Sequence, residues 1–120
     1  AIPLVEAGIV YVFGGGHVAR ELVPVLVYLA FSCVVIDDRA EFACPEVFPQ
    51  AEQTLVLDLD NLEGQITVRP CDYACIMTRG HQYDYYVQKQ MLKASPSYIG
   101  IMGSRNKIRV VTERLMEDGF

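Results

Sequence analysis

The run Gly14-Gly15-Gly16 constrains this chain more than any other sequence feature. It follows a short apolar, β-branched stretch, residues 8–13 (GIVYVF), which is typical of a buried parallel strand. A predicted helix begins directly after it at His17, and Ala19 completes a GxGxxA pattern. In such a turn the first glycine permits the sharp bend and the second lets the backbone approach a pyrophosphate, while the alanine lets helix and strand pack closely. The pattern therefore predicts a strand–turn–helix unit whose helix N-terminus holds phosphate.

Predicted strands and helices alternate along the rest of the chain. Further strands are predicted at residues 31–36, 54–57, 73–78 and 97–101, a short extra one at 66–68, and helices at 17–30, 82–93 and 104–117. Because the strands are apolar on both faces, we expect a doubly wound α/β fold, Rossmann-like, with a parallel sheet of strand order 3-2-1-4-5. The length fits a single nucleotide-binding domain spanning residues 1–120, and the missing initiator methionine suggests a piece of a longer protein.

Acidic and basic residues end the predicted second strand. Asp37 follows Gly16 by 21 positions, near the spacing expected for a carboxylate that binds the ribose hydroxyls of a dinucleotide. Arg39 leaves the ligand open, because a basic residue here can accept the 2′-phosphate of NADP. Asp38 and Arg39 are equally compatible with a solvated loop, and His17 can face either a phosphate or solvent.

Basic residues also stand where two predicted helices begin, although the helix dipole favours acids there. Ser104 suits an N-cap, but Arg105 and Lys107 follow it at once, and His81 precedes the other helix. Both segments follow strands and so lie at the carboxyl edge of the sheet, where open α/β sheets bind ligands. Four of the ten Lys and Arg residues thus gather on one rim, in a chain of net charge −5: Arg39, Arg79, Arg105 and Lys107. This basic rim predicts a phosphate-bearing, anionic ligand.

Composition excludes several other classes of protein. The net charge of −5 argues against a general nucleic-acid binder. No apolar run reaches the roughly 18 residues that a membrane span needs, and no signal peptide is visible, so a cytoplasmic location is expected. The cysteines form neither a CxxC pair nor a disulfide framework: Cys33, Cys44, Cys71 and Cys75. Buried reduced thiols are expected, with metal or sulfur chemistry at Cys44 or Cys71 as the alternative. No metal site and no catalytic residue are predicted.

Four sequence blocks, VYVFGGGHVARELVPVL, VVIDDRAEFACPEVFP, MTRGHQYDYYVQKQ and YIGIMGSRNKI, resemble the C-terminal Rossmann domain of the XdhC/CoxI family. The resemblance covers roughly residues 8–109. The glycine block is generic, but the TRGHxxD and GSRxK blocks are much more specific. These two blocks comprise Thr78, Arg79, Gly80, His81 and Asp84, and Gly103, Ser104, Arg105 and Lys107.

The resemblance implies an accessory role for xanthine dehydrogenase and related molybdenum hydroxylases. The resemblance further implies a protein that binds the molybdenum cofactor (molybdopterin), supports its sulfuration with a cysteine desulfurase, and helps insert it into the apo-hydroxylase, without turnover of its own. The family's N-terminal domain is absent here, which points to a two-domain parent protein, and no cofactor-sulfur role is transferred to any cysteine of this chain. The alternatives are an NAD(P)-dependent oxidoreductase, with His81 as acid–base group, and a nucleotide-sensing regulatory domain.

The first predicted helix is apolar on more than one face. Residues 22, 23, 25–27 and 29 are aliphatic and residue 28 is tyrosine, so its outer side should be covered. A lost domain, a second copy in a homodimer and a client enzyme are the candidate covers, and complete burial within one compact domain is the alternative. Pro24 should kink this helix, because proline removes a backbone hydrogen bond.

Overall fold

A computed structural model describes residues 8–78, 80–101 and 112–119 of the chain. The elements are β1 (Ile9–Phe13), α1 (His17–Tyr28), β2 (Ser32–Asp37), β3 (Gln53–Val56), β4 (Tyr73–Ile76), α2 (His81–Ala94) and β5 (Tyr98–Ile101). These bounds match the predicted elements to within two residues. Residues 112–117 are helical, and the rest of the predicted closing helix lies outside the described residues. The extra strand predicted at 66–68 was wrong, because Glu63 and Ile66 form only an isolated bridge.

All five strands are parallel and lie in the order β3-β2-β1-β4-β5, which confirms the predicted Rossmann-like topology. The chain builds outward from β1 through β2 to β3 and then crosses to β4 on the other side of β1. Phe13, Ile36 and Ile76 are paired at the carboxyl ends of the three central strands. The strand order therefore reverses at β1, and the crevice above its carboxyl end is where this fold class binds ligands.

Side chains that alternate along the strands pack into two hydrophobic cores, one on each face of the sheet. On one face Tyr11, Phe13 and Ile76 pack with Val87 of α2, and on the other Val12 and Val35 pack with residues of α1. The cores are apolar on both sides because helices cover both faces of a parallel sheet. This packing fixes the ends of β1, β2 and β4 relative to the starts of the two helices.

The outer face of α1 is apolar and exposed, as its composition predicted. Tyr28 is 89% exposed, and Val18, Val25, Leu29 and Phe31 are exposed with it, so the described residues do not bury this helix completely. Pro24 lies inside the helix, which continues through it to Tyr28. Within the described part of the chain, no helix has the length and apolarity that crossing a membrane requires.

Candidate functional site

The first glycine of the run is required by the fold, and the second is tightly packed. Gly14 has a φ of +109°, and a Cβ added there would lie 2.4 Å from the carbonyl oxygen of Met77, the residue that follows β4. A Cβ on Gly15 would lie 3.0 Å from the carbonyl oxygen of Phe42. The turn therefore packs closely against the backbone at Met77 and at Phe42, and only glycine fits at Gly14 without strain.

Gly16 is different, because nothing in the described structure requires glycine there. Its φ of −81° and ψ of −167° are open to any residue. Among the described residues, a Cβ on Gly16 would meet no atom within 4 Å, so these residues leave the space in front of the turn open. Absence of a side chain at this position keeps that space clear for a close backbone approach, which is the role the GxGxxA pattern assigns to its second glycine.

Helix α1 begins at this empty space. Gly16 is its N-cap, no side chain caps the helix, and its first turn contains no acidic residue. The first intrahelical bond runs from the Arg20 N–H to the Gly16 carbonyl, 3.1 Å. The backbone N–H groups of the first helical turn, those of His17–Ala19, have no partner among the described residues. With the positive end of the helix dipole, these donors favour an anion. The His17 side chain is exposed beside them.

The Asp37 carboxylate, at the end of β2, connects the turn to Arg39. It is buried, and its Oδ2 accepts hydrogen bonds from the Gly15 N–H at 2.8 Å and from Arg39 Nη2 at 3.0 Å. Its Oδ1 accepts from the backbone N–H and the Nε of Arg39, both at 3.0 Å. The Arg39 guanidinium also lies 3.9 Å over the ring centre of Phe42. Asp37 thus shapes the glycine turn and holds Arg39 at its side.

Burial alone would raise the pKa of the Asp37 carboxyl. Hydrogen bonds from the Arg39 side chain and from the Gly15 N–H outweigh burial and lower the pKa from 3.8 to about 2. The carboxylate is therefore ionised at neutral pH.

A lowered pKa makes this carboxylate a pH-dependent source of stability. Its contribution is present above the unfolded-state pKa near 4 and is lost as the pH falls through about 2. The shift corresponds to about 2 kcal/mol at neutral pH. We expect the free energy of unfolding to fall more between pH 5 and pH 2 in the wild type than in Asp37→Asn, which removes this titration. Denaturant titrations across that range measure it, and parallel curves for the two proteins would contradict it.

A cleft of about 310 Å³ opens next to Asp37, between the carboxyl ends of β2 and β3 and the start of α2. Its lining is acidic and aromatic: Asp38, Asp58, Leu59, Asp60, Gln82, Tyr83 and Tyr86. Within the described ranges no group of three or more His, Cys, Asp or Glu residues could hold a metal ion, and this trio of aspartates is no exception. Carboxylates accept hydrogen bonds, so the cleft suits a ring that presents N–H or NH₂ groups. Only Asp38 was anticipated from the sequence, although the strand order places residues after β3 at this same edge.

Thr78, the first residue of the TRGH block, lies beside the glycine turn and has a structural role. The Thr78 N–H donates to Asp84 Oδ1 at 3.1 Å, the Thr78 hydroxyl contacts the same carboxylate, and Thr78 is buried. A Cβ on Gly14 would come within 3.0 Å of the Thr78 Cα, so this segment forms one wall of the turn. Gly80 is the N-cap of α2 in extended backbone, and His81 begins that helix.

The structure brings together Gly14–Gly16, Asp37, Arg39 and Thr78, and it sets Asp38 in the adjoining cleft. Of the basic rim it describes Arg39, which is paired with Asp37 rather than directed only at a ligand site. Five further predicted site residues lie outside the described residues: Arg79, Gly103, Ser104, Arg105 and Lys107. All four cysteines are free thiols, but only Cys33 is buried and the other three are half-buried, contrary to the expectation of burial. Burial raises the pKa of Cys33 to about 11.

Comparison with known proteins points to one family. The family model described as the XdhC Rossmann domain matches residues 10–120. A probable xanthine dehydrogenase subunit of Bacillus subtilis (strain 168) is 27% identical over 104 residues, which are 87% of this chain and 30% of that protein. A crystal structure of a xanthine dehydrogenase from Bacillus halodurans matches with a TM-score of 0.82 and 28% identity, over 89% of this chain and 32% of that chain. The chain thus spans about a third of the length of these relatives.

Proposed function

This chain belongs to the XdhC Rossmann-domain family, and from that premise we propose that it binds a phosphate-bearing cofactor for a xanthine dehydrogenase-type enzyme. The observation that carries the proposal is the open space at Gly16, which faces the start of α1, where the first-turn amides lack partners among the described residues. A phosphate there would accept hydrogen bonds from these amides and would benefit from the helix dipole. The site is a binding site without turnover of its own.

The bound molecule extends from the turn toward the acidic cleft. Its phosphate lies at Gly16, and its ring occupies the space lined by Asp58, Asp60 and Tyr86. The volume of about 310 Å³ is at the small end of ligand pockets and suits one or two fused rings. Tyrosine side chains offer stacking surfaces, while the carboxylates accept hydrogen bonds from ring N–H and amino groups.

These residues fit the molybdenum cofactor, whose molybdopterin part carries a phosphate and an amino-substituted ring. When bound, that cofactor supplies the metal centre that a molybdenum hydroxylase uses. In this proposal the Gly14–Ala19 turn holds the phosphate. The contribution of Arg79, Arg105 and Lys107 to anion binding stays a prediction from the sequence. The longer cytoplasmic protein protects the cofactor, supports its sulfuration by a cysteine desulfurase, and delivers it to its client hydroxylase.

The molecule that copurifies with the longer parent protein tests this proposal. We expect native mass spectrometry after anaerobic purification to show a bound mass equal to molybdopterin or its dinucleotide form. The Gly16→Val variant of the same protein is the control and should lack that mass. A bound mass equal to NAD or NADP, or no bound mass together with failure to copurify a molybdenum hydroxylase, would overturn the proposal.

A further inference from the structure

We infer that Arg39 is a specificity-determining residue that closes the ribose subsite of this fold, so the site does not recognise a ligand through a free ribose diol. The inference rests on the proposed phosphate site at Gly16 and narrows its ligand class. The ligand is a phosphate ester held through its phosphate and its ring, rather than a nucleotide anchored by sugar hydroxyls.

The Asp37 carboxylate already has a full set of donors. A carboxylate offers about four acceptor positions, two on each oxygen. Oδ1 uses two for the backbone N–H and the Nε of Arg39, and Oδ2 uses two for the Gly15 N–H and Arg39 Nη2. A ribose diol would donate two hydrogen bonds to this same group. It therefore has no acceptor to use while Arg39 is in place.

Arg39 is not easily displaced from this position. Arg39 forms a bidentate ion pair with Asp37, which combines charge attraction with a fixed geometry. The Phe42 ring also packs against the face of the guanidinium. The carboxylate beneath is 1% exposed, so moving Arg39 away would leave a buried charge without its counter-ion. Neutral hydroxyls would be a poor substitute for that ion pair.

The charge around Arg39 also argues against the alternative ligand, a nucleotide that carries a 2′-phosphate on its ribose. Asp37 neutralises Arg39, Asp38 lies 4.0 Å from Arg39 Nε, and Asp58 and Asp60 line the same cleft. A second phosphate at this point would meet carboxylates rather than a surplus of positive charge.

Calorimetric titration with ADP and 2′,3′-dideoxy-ADP tests the inference, because the two probes differ only in the diol. We expect the wild type to bind both with affinities within about twofold. Arg39→Ala frees two acceptor positions on Asp37, and it should bind ADP at least about tenfold more tightly than the dideoxy probe, about 1.4 kcal/mol. Arg20→Ala, an exposed arginine in α1 that loses the same charge, should behave as the wild type.

A wild type that prefers ADP by tenfold overturns the inference, as does an Arg39→Ala variant that binds both probes equally or binds neither. Arg39→Lys keeps the charge but loses the fork, so it serves as the second variant should Arg39→Ala unfold, and it should prefer ADP over the dideoxy probe. Titration with inorganic pyrophosphate separates the two proposals. Pyrophosphate binding that Gly16→Val abolishes leaves the phosphate site standing even where the diol result fails.

Discussion

Replacement of Gly16 by valine is expected to abolish pyrophosphate binding while leaving the fold intact. The added side chain fills space that the described part of the chain leaves open around the Cβ position, and it separates an anion from the first-turn amides of α1. The backbone at Gly16 already suits valine. A weaker N-cap costs stability and a less flexible unfolded chain restores some of it, so the free energy of unfolding should change by no more than about 1 kcal/mol.

Calorimetry with pyrophosphate and thermal melting measure the two halves of this prediction. Ser32→Val is a matched control, because Ser32 is exposed at the amino end of β2, the opposite edge of the sheet, and gains comparable apolar volume. It should keep wild-type affinity. Retained affinity in Gly16→Val, or loss of affinity together with loss of the fold, would count against a phosphate site at this turn.

Replacement of Gly14 by alanine should have the largest effect on stability, a loss of about 3 kcal/mol or more. The left-handed φ of +109° strains any L side chain, and the new methyl group would lie 2.4 Å from the Met77 carbonyl oxygen. That oxygen belongs to the backbone that continues β4, so relief would require the central strands to separate.

The Gly64→Ala variant separates the cost of a strained backbone angle from the cost of a steric clash. Gly64 also has a positive φ, +83°, but a Cβ there meets no atom of the described residues within 4 Å. Urea titrations of the two variants measure both losses, and Gly64→Ala should lose only about 1–2 kcal/mol. Equal losses for the two variants would show that Gly14 is needed for its backbone angle alone and that the turn is not tightly packed against β4.

Most of the architecture followed from local sequence signals. Apolar β-branched runs such as residues 8–13 have few alternatives to a buried parallel strand, and the glycine turn fixes where α1 begins. The prediction of an extra strand at 66–68 was wrong, because the pattern of a three-residue run does not show whether the edge of the sheet is free to pair with it. The apolar surface of α1 followed directly from its composition.

The site was less predictable, since it depends on contacts between elements far apart in sequence. The spacing from Gly16 to Asp37 singled out a carboxylate that contacts the glycine turn, but it did not show that Gly15 and Arg39 would fill the acceptor positions of that carboxylate. Likewise, the sequence does not distinguish the roles of Gly14, Gly15 and Gly16. Only the surrounding atoms show that Gly14 is needed for folding, while Gly16 leaves space for a ligand. The contribution of Asp58 and Tyr86 to one cleft required the packing of α2 against the loop after β3.

The central claim is that an anion binds the first turn of α1 at Gly16. Backbone amide NMR of the isotope-labelled protein during a pyrophosphate titration tests it most directly. We expect saturable shifts to be largest at Gly16, His17 and Val18, and to vanish at those positions in Gly16→Val. No saturable shift at these amides, or shifts concentrated at a distant surface, would contradict the claim.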